Sequence, residues 1–162
     1  MKRIITFCLL LATSFAVNAQ GPSKEETIKF INKTLPLAYL SSSQPFEEIS
    51  ITGEQYFERI NFDGRNYDQT SNKYHVKWED ISQVTTENPT GRDYIYFNVY
   101  FNKECKTDLY YIKNGTITSY LEQTRGMIRL KFPNEEAAKV NSLKKAFEHL
   151  AEIFKAENKD PF

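Results

Sequence analysis

The tyrosines form the constellation most able to recognise something. Tyr94, Tyr96 and Tyr100 recur at even positions of one alternating stretch. Tyr110 or Tyr111, and Tyr120, follow on the next stretches and extend the patch sideways. A tyrosine ring is apolar in its body and polar at its tip, so a platform of such rings stacks on a sugar, a lipid or a partner chain. Tyrosine also suits strands, and cross-strand aromatic pairs stabilise a sheet by about 0.2–1 kcal/mol each. The predicted binding residues are Tyr94, Tyr96, Tyr100 and Tyr120.

Groups able to move protons or form covalent bonds are sparse. His75 and His149 are isolated from each other. A zinc site needs three or four ligands at recognisable spacing, and no H-x-x-x-H, C-x-x-C or H-E-x-x-H occurs. Structural or solvated histidines are predicted. Ser41, Ser42 and Ser43 lie in a loop with no nearby histidine, and there is no G-x-S-x-G. Cys105 has no base beside it in the sequence. An enzyme would need folding to bring His75 or His149 to Cys105, a serine or a carboxylate in a cleft. Glu47 and Glu48 start a predicted strand, where neighbours point to opposite faces. Glu135 and Glu136 suit the first turn of a helix. No EF-hand spacing or glycine-rich phosphate loop is present. No catalytic residue, metal or cofactor is predicted.

The first residues read as an address. Lys2 and Arg3 precede an apolar stretch from Ile4 to Val17, and Val17-Asn18-Ala19 offers a cleavage site after Ala19. A membrane span needs about 20 apolar residues, and Thr6, Thr13 and Ser14 interrupt this one. The prediction is a signal peptide over 1–19 and a chain exported to the periplasm or the medium. Of 162 residues, 143 remain after its removal, and the balance of 21 basic and 21 acidic residues falls to −2 with the loss of Lys2 and Arg3. That length makes one domain able to bury its own core. Cys105 is then the lone cysteine, predicted as a small buried hydrophobe. Neutral charge argues against nucleic-acid binding through bulk charge. A 14% aromatic content points to sheet.

The elements follow from periodicity. Ser23 and Glu26 make a capping box, Ile28, Ile31 and Leu35 follow at helical spacing, and Pro36 ends the run. A helix over 23–35 and a linker to residue 45 are predicted. The period then becomes two, with seven strand candidates: 46–51, 55–62, 74–86, 93–101, 105–113, 116–122 and 127–132. Asn114-Gly115 is the strongest hairpin signal. From Asn134, a predicted N-cap, Ala137, Val140, Leu143, Phe147, Leu150 and Phe154 recur at steps of three and four. That predicts a long helix docked on its own sheet, with a frayed tail over 158–162.

Trp78-Glu79-Asp80-Ile81-Ser82-Gln83-Val84 resembles the W/L-x-D-I-x-x-V strand of pleckstrin-homology and GRAM-type domains. Arg129-Leu130-Lys131-Phe132, running into Asn134-Glu135-Glu136-Ala137-Ala138-Lys139-Val140, resembles their last strand and helix. Residues 24–31 are similar to the leading helix of small exported PH-like proteins common in Bacteroidetes. The resemblance implies an α+β fold over 46–157: a seven-stranded antiparallel sandwich or barrel, with an N-terminal helix and a C-terminal helix capping one end. PH-like folds bind lipids, peptides or proteins, and the fold does not fix which. Phosphoinositide binding does not carry over. Residues 46–63 hold Glu47, Glu48, Glu54, Glu58 and Asp63 against Arg59 alone, a surface that repels phosphate.

These expectations make the chain an exported, non-catalytic PH-like binding or protein-interaction module, monomeric or weakly dimeric. Its partner would be a protein or a small apolar or sugar ligand. The alternative is a lipocalin-like barrel carrying an apolar small molecule, which would need eight strands and an open interior.

Overall fold

The structure, a computed structural model, describes residues 21–41, 44–61 and 66–159. The predicted signal peptide, residues 42, 43 and 62–65, and residues 160–162 of the predicted frayed tail lie outside them. The fold is α+β: an open antiparallel sheet with one helix before it and one after it.

Helix α1 spans Lys24–Thr34, and both halves of the capping box form: Ser23 Oγ accepts from the Glu26 amide at 3.2 Å, and Glu26 Oε2 accepts from the Ser23 amide at 2.9 Å. Pro36 turns the chain into a 3-10 segment, Leu35–Leu37. Two short strands, β1 (Tyr39–Ser41) and β2 (Gln44–Pro45), stand where a loop is predicted. Six longer strands follow: β3 (Glu48–Thr52), β4 (Gln55–Asn61), β5 (Gln69–His75), β6 (Ile81–Glu87), β7 (Tyr94–Lys113) and β8 (Thr116–Pro133). They run β2-β1-β8-β7-β5-β4-β3 across the sheet, and β6 pairs with the first half of β7.

The strand divisions differ from the predicted seven, for local reasons. The candidate 74–86 is cut in two by a 3-10 turn, Trp78–Asp80, because Trp78 is fully buried and its indole N–H bonds to the Gly53 carbonyl. Strand β5 begins at Gln69, in the stretch left between the candidates 55–62 and 74–86. The candidates 93–101 and 105–113 form one 20-residue strand, and 116–122 and 127–132 form one 18-residue strand. The ladder between β7 and β8 slips register between Tyr100 and Cys105, opposite Gly126. A bulge absorbs the polar Asn102-Lys103-Glu104 without ending the strand. The Asn114-Gly115 turn has positive φ at both residues, 51° and 74°, as a tight hairpin requires.

Helix α2, Ala137–Glu157, starts three residues later than its predicted N-cap. Asn134 opens a 3-10 turn instead, and its amide donates to the Arg92 carbonyl. Val140, Leu143, Phe147, Leu150 and Phe154 form the buried stripe, over β6 and the Trp78 turn. Phe147 sits against Trp78 and Phe97, with ring centres 5.9 and 5.6 Å away. Helix α1 packs beside α2, and Lys24 reaches Glu157 at 2.7 Å. Helix α2 therefore covers the half of the sheet made by β6 and the first part of β7, while α1 packs on the edge strand β3, where the Asn32 side chain bonds both the amide and the carbonyl of Ile51. No described helix is long and apolar enough to cross a membrane.

Candidate ligand-binding cleft

The other half of the sheet carries polar side chains on a face that a core would make apolar. Tyr56, Glu58 and Ile60 alternate on β4 and are buried. Tyr74, Asn72 and Thr70 pair with them in register on β5. Leu109 and Tyr111 of β7 continue the face opposite Asn72 and Thr70. Together with Tyr67 and with Arg125, Met127 and Arg129 of β8, these strands line a cavity of about 630 Å³. It is larger than the two depressions beside His75, about 480 and 190 Å³, and than the groove between the helices near Phe30, about 380 Å³.

Glu58 is the buried charge of the cleft. Its Oε2 accepts from the Tyr56 hydroxyl at 2.7 Å, and its Oε1 from Asn72 Nδ2 at 2.9 Å and the Tyr74 hydroxyl at 3.3 Å. Burial pushes the carboxyl above its usual range, outweighing those hydrogen bonds and the Arg125 charge. Burial first, and Glu58 second, also push the Tyr56 and Tyr74 hydroxyls far up. Both tyrosines therefore stay neutral donors. The two rings meet edge-on with centres 5.0 Å apart. Glu58 thus positions two tyrosines and an asparagine.

The cations of the cleft hydrogen-bond to neutral side chains. Arg125 donates to Gln123 Oε1 at 3.1 Å, and Arg129 donates from Nε to Asn98 Oδ1 at 2.7 Å. Among the described residues no ion pair within 4.0 Å engages Arg125, Arg129 or Lys131. Residues 125, 127, 129 and 131 alternate onto one face of β8. Opposite them in register on β7 stand Tyr100, Asn98 and Tyr96, facing Met127, Arg129 and Lys131.

The predicted tyrosines divide between the two faces. Tyr94 and Tyr96 lie beside the cleft, with ring centres 5.0 Å apart and hydroxyls at 3.3 Å. The Arg129 guanidinium lies 5.0 Å from the Tyr96 ring centre, and Lys131 Nζ 4.9 Å from that of Tyr94. Tyr100 shares this face, half-buried opposite Met127. Tyr120 lies on the reverse face, stacked on Tyr110 with ring centres 5.2 Å apart. Its hydroxyl donates to Asp108 Oδ1 at 2.8 Å and is pushed up to about 12, chiefly by that bond. Tyr120 therefore leaves the predicted patch, because odd and even positions of β8 point oppositely.

On the reverse face Asp108 also meets His75 Nε2 at 2.7 Å. That bond, with the one from Tyr120, holds the Asp108 carboxyl below its usual range against burial. Cys105 is buried, its thiol pushed up by that burial, and it donates to the Arg125 carbonyl at 3.2 Å. His149 donates to the Pro22 carbonyl at 2.8 Å. Glu47 accepts from Gln69, Glu48 pairs with Arg59, and Glu136 pairs with Lys139. Among the described residues no group of three or more histidines, cysteines or carboxylates could hold a metal ion.

The cleft residues Glu58, Tyr67, Asn72, Tyr74, Arg125 and Arg129 escape the sequence-based selection. One signal was legible: Glu58 falls between Tyr56 and Ile60 on the apolar alternation of β4. A carboxylate in such a stripe needs buried partners. Asn72 was hidden because β5, polar on both faces, resembles a loop. No known protein family, curated protein or solved structure matches this chain.

Proposed function

We propose that the chain is an exported, non-catalytic binding module with a PH-like fold, and that its ligand enters the cleft between β4, β5, β7 and β8. The observation that carries this is the placement of buried polar groups around an open cavity of about 630 Å³. Burying a carboxylate costs stability unless it is fully bonded, and an apolar sheet face would fold more cheaply. Such local departures from packing rules gather at functional sites.

The chemistry around Cys105 and His75 supports a binding role over a catalytic one. A thiol pushed up by burial is a poor nucleophile at neutral pH. The one described hydrogen bond of His75 goes to Asp108. The open sheet and the side chains packed beneath α2 favour the cleft over an enclosed lipocalin-like lumen.

Native mass spectrometry of the chain recovered from the exported fraction of its host tests this proposal. The expected result is an added mass of a few hundred daltons that Thr70→Trp, which fills the cleft, removes. An adduct unmoved by Thr70→Trp, or none at all, would overturn it. A chain found only inside the cell with residues 1–19 attached would overturn the export.

A further inference from the structure

We infer that the cleft takes an acidic saccharide, a hydroxylated ring bearing a carboxylate. The inference rests on the cleft being the ligand site and names what it recognises. Arg125 and Arg129 both line the cavity, and neither has an ion-pair partner among the described residues. A guanidinium presents a planar fork of donors that matches a carboxylate in two parallel hydrogen bonds. Arg129 is already fixed in place: its Nε is bonded to the buried Asn98, which leaves its terminal nitrogens for a ligand.

The rest of the lining suits a ring with hydroxyls. Tyr67 and Tyr111 meet edge-on with centres 4.9 Å apart, and both border the cavity. An aromatic face takes the apolar side of a sugar ring, and a phenol tip takes a hydroxyl. Asn72 gives its amide N–H to Glu58, which leaves its carbonyl oxygen as an acceptor. Tyr96 and Lys131 continue the same face beyond Arg129.

A polyphosphate fits less well. Glu58 sits buried in the cleft beside the arginines and opposes concentrated negative charge. Without residues 1–19 the chain carries a net charge of −2, so no wide positive field draws a polyanion.

Isothermal titration of the exported chain with trigalacturonic acid and with its methyl ester tests the inference. The acid is expected to bind at least about tenfold more tightly than the ester, since hydrogen bonds to charged groups are worth about 1.5–3 kcal/mol each. Arg129→Gln is expected to erase that difference, and Lys73→Gln, on the reverse face, to keep it. Thermal melting checks that each variant folds, and Arg125→Gln replaces Arg129→Gln if the latter does not. Equal binding of acid and ester would overturn the carboxylate inference and leave the cleft as a neutral-sugar site. Binding of neither would overturn the saccharide inference, and the mass adduct and its loss in Thr70→Trp would then decide the cleft separately. Tighter binding of an oligothymidylate than of the acid would overturn it in favour of a nucleic acid.

Discussion

Arg129 donates from Nε to Asn98 Oδ1 at 2.7 Å, and this bond ties the tyrosine face to the cleft. Asn98 is fully buried, and its amide nitrogen is shared between Thr85 Oγ1 at 3.2 Å and Glu87 Oε1 at 3.1 Å. A buried, fully bonded amide on a central strand is a rigid anchor. Arg129, though exposed, is therefore held in place rather than free to sweep the surface.

Replacing Asn98 with Ala is expected to strand those partners and cost about 1–3 kcal/mol in denaturant unfolding. Ligand affinity should fall as well, because Arg129 loses its tether. Unchanged unfolding would show that the three bonds are exchanged for water without loss.

Glu58 gives a pH dependence whose sign is fixed by its upward displacement. The folded carboxyl holds its proton to higher pH than the unfolded one. Its contribution to stability is present below the unfolded value, near 4.3, and is lost as pH rises through the folded value. Glu58→Gln should remove that decline, so the difference in melting temperature between the variant and the parent should change above about pH 4. A difference independent of pH would contradict the displacement. Asp108 acts the other way. Its lowered carboxyl stabilises the fold above the unfolded value and loses that effect as pH falls. Asp108→Asn should therefore match the parent in acid and fall behind it near neutrality.

Phe147→Ala should cost about 3–5 kcal/mol, as expected for an aromatic removed from a closed core. Its side chain is 1% exposed between Trp78 and Phe97. A melting curve barely moved would mean that α2 is not docked.

Among the described residues, the first half of β8 presents an uncovered edge. Among them, residues 116–126 pair with β7 on one side only, and β1 meets β8 at Lys131. Three of the four large exposed hydrophobic residues described, Ile117, Tyr120 and Leu121, lie on this strand. Exposed edges of this kind pair with other strands unless lysine, proline or a helix blocks them. Weak self-association at high concentration is expected in sedimentation velocity, and Leu121→Lys should reduce it. A chain that stays monomeric at millimolar concentration would show that the edge is protected.

Much of the fold was legible because it rests on local signals. The Ser23–Glu26 capping box, the Asn114-Gly115 hairpin and the α2 stripe from Val140 to Phe154 each act within a few residues. Tyr94, Tyr96 and Tyr100 were placed correctly on one face, since alternation within a continuous strand is itself local. Strand division was less legible. Asn102-Lys103-Glu104 resembles a turn, and only pairing with β8 across Gly126 holds it in a bulge. Residues 69–73 resemble a loop, and only β4 and β7 on either side make them a strand.

By itself, then, the sequence determined the periods, the caps and the turns, because each is a short-range property of the chain. Tertiary structure decided which residues share a face across strands. Register brought Glu58 to Asn72 and Tyr74, set Arg129 against Asn98 and Tyr96, and sent Tyr120 to the reverse side with Asp108 and His75. Those relations depend on long-range pairing, and in the β7–β8 ladder on the two places where the register slips. A one-residue shift in a strand reverses every side chain beyond it, and no local pattern in the sequence encodes where that shift falls.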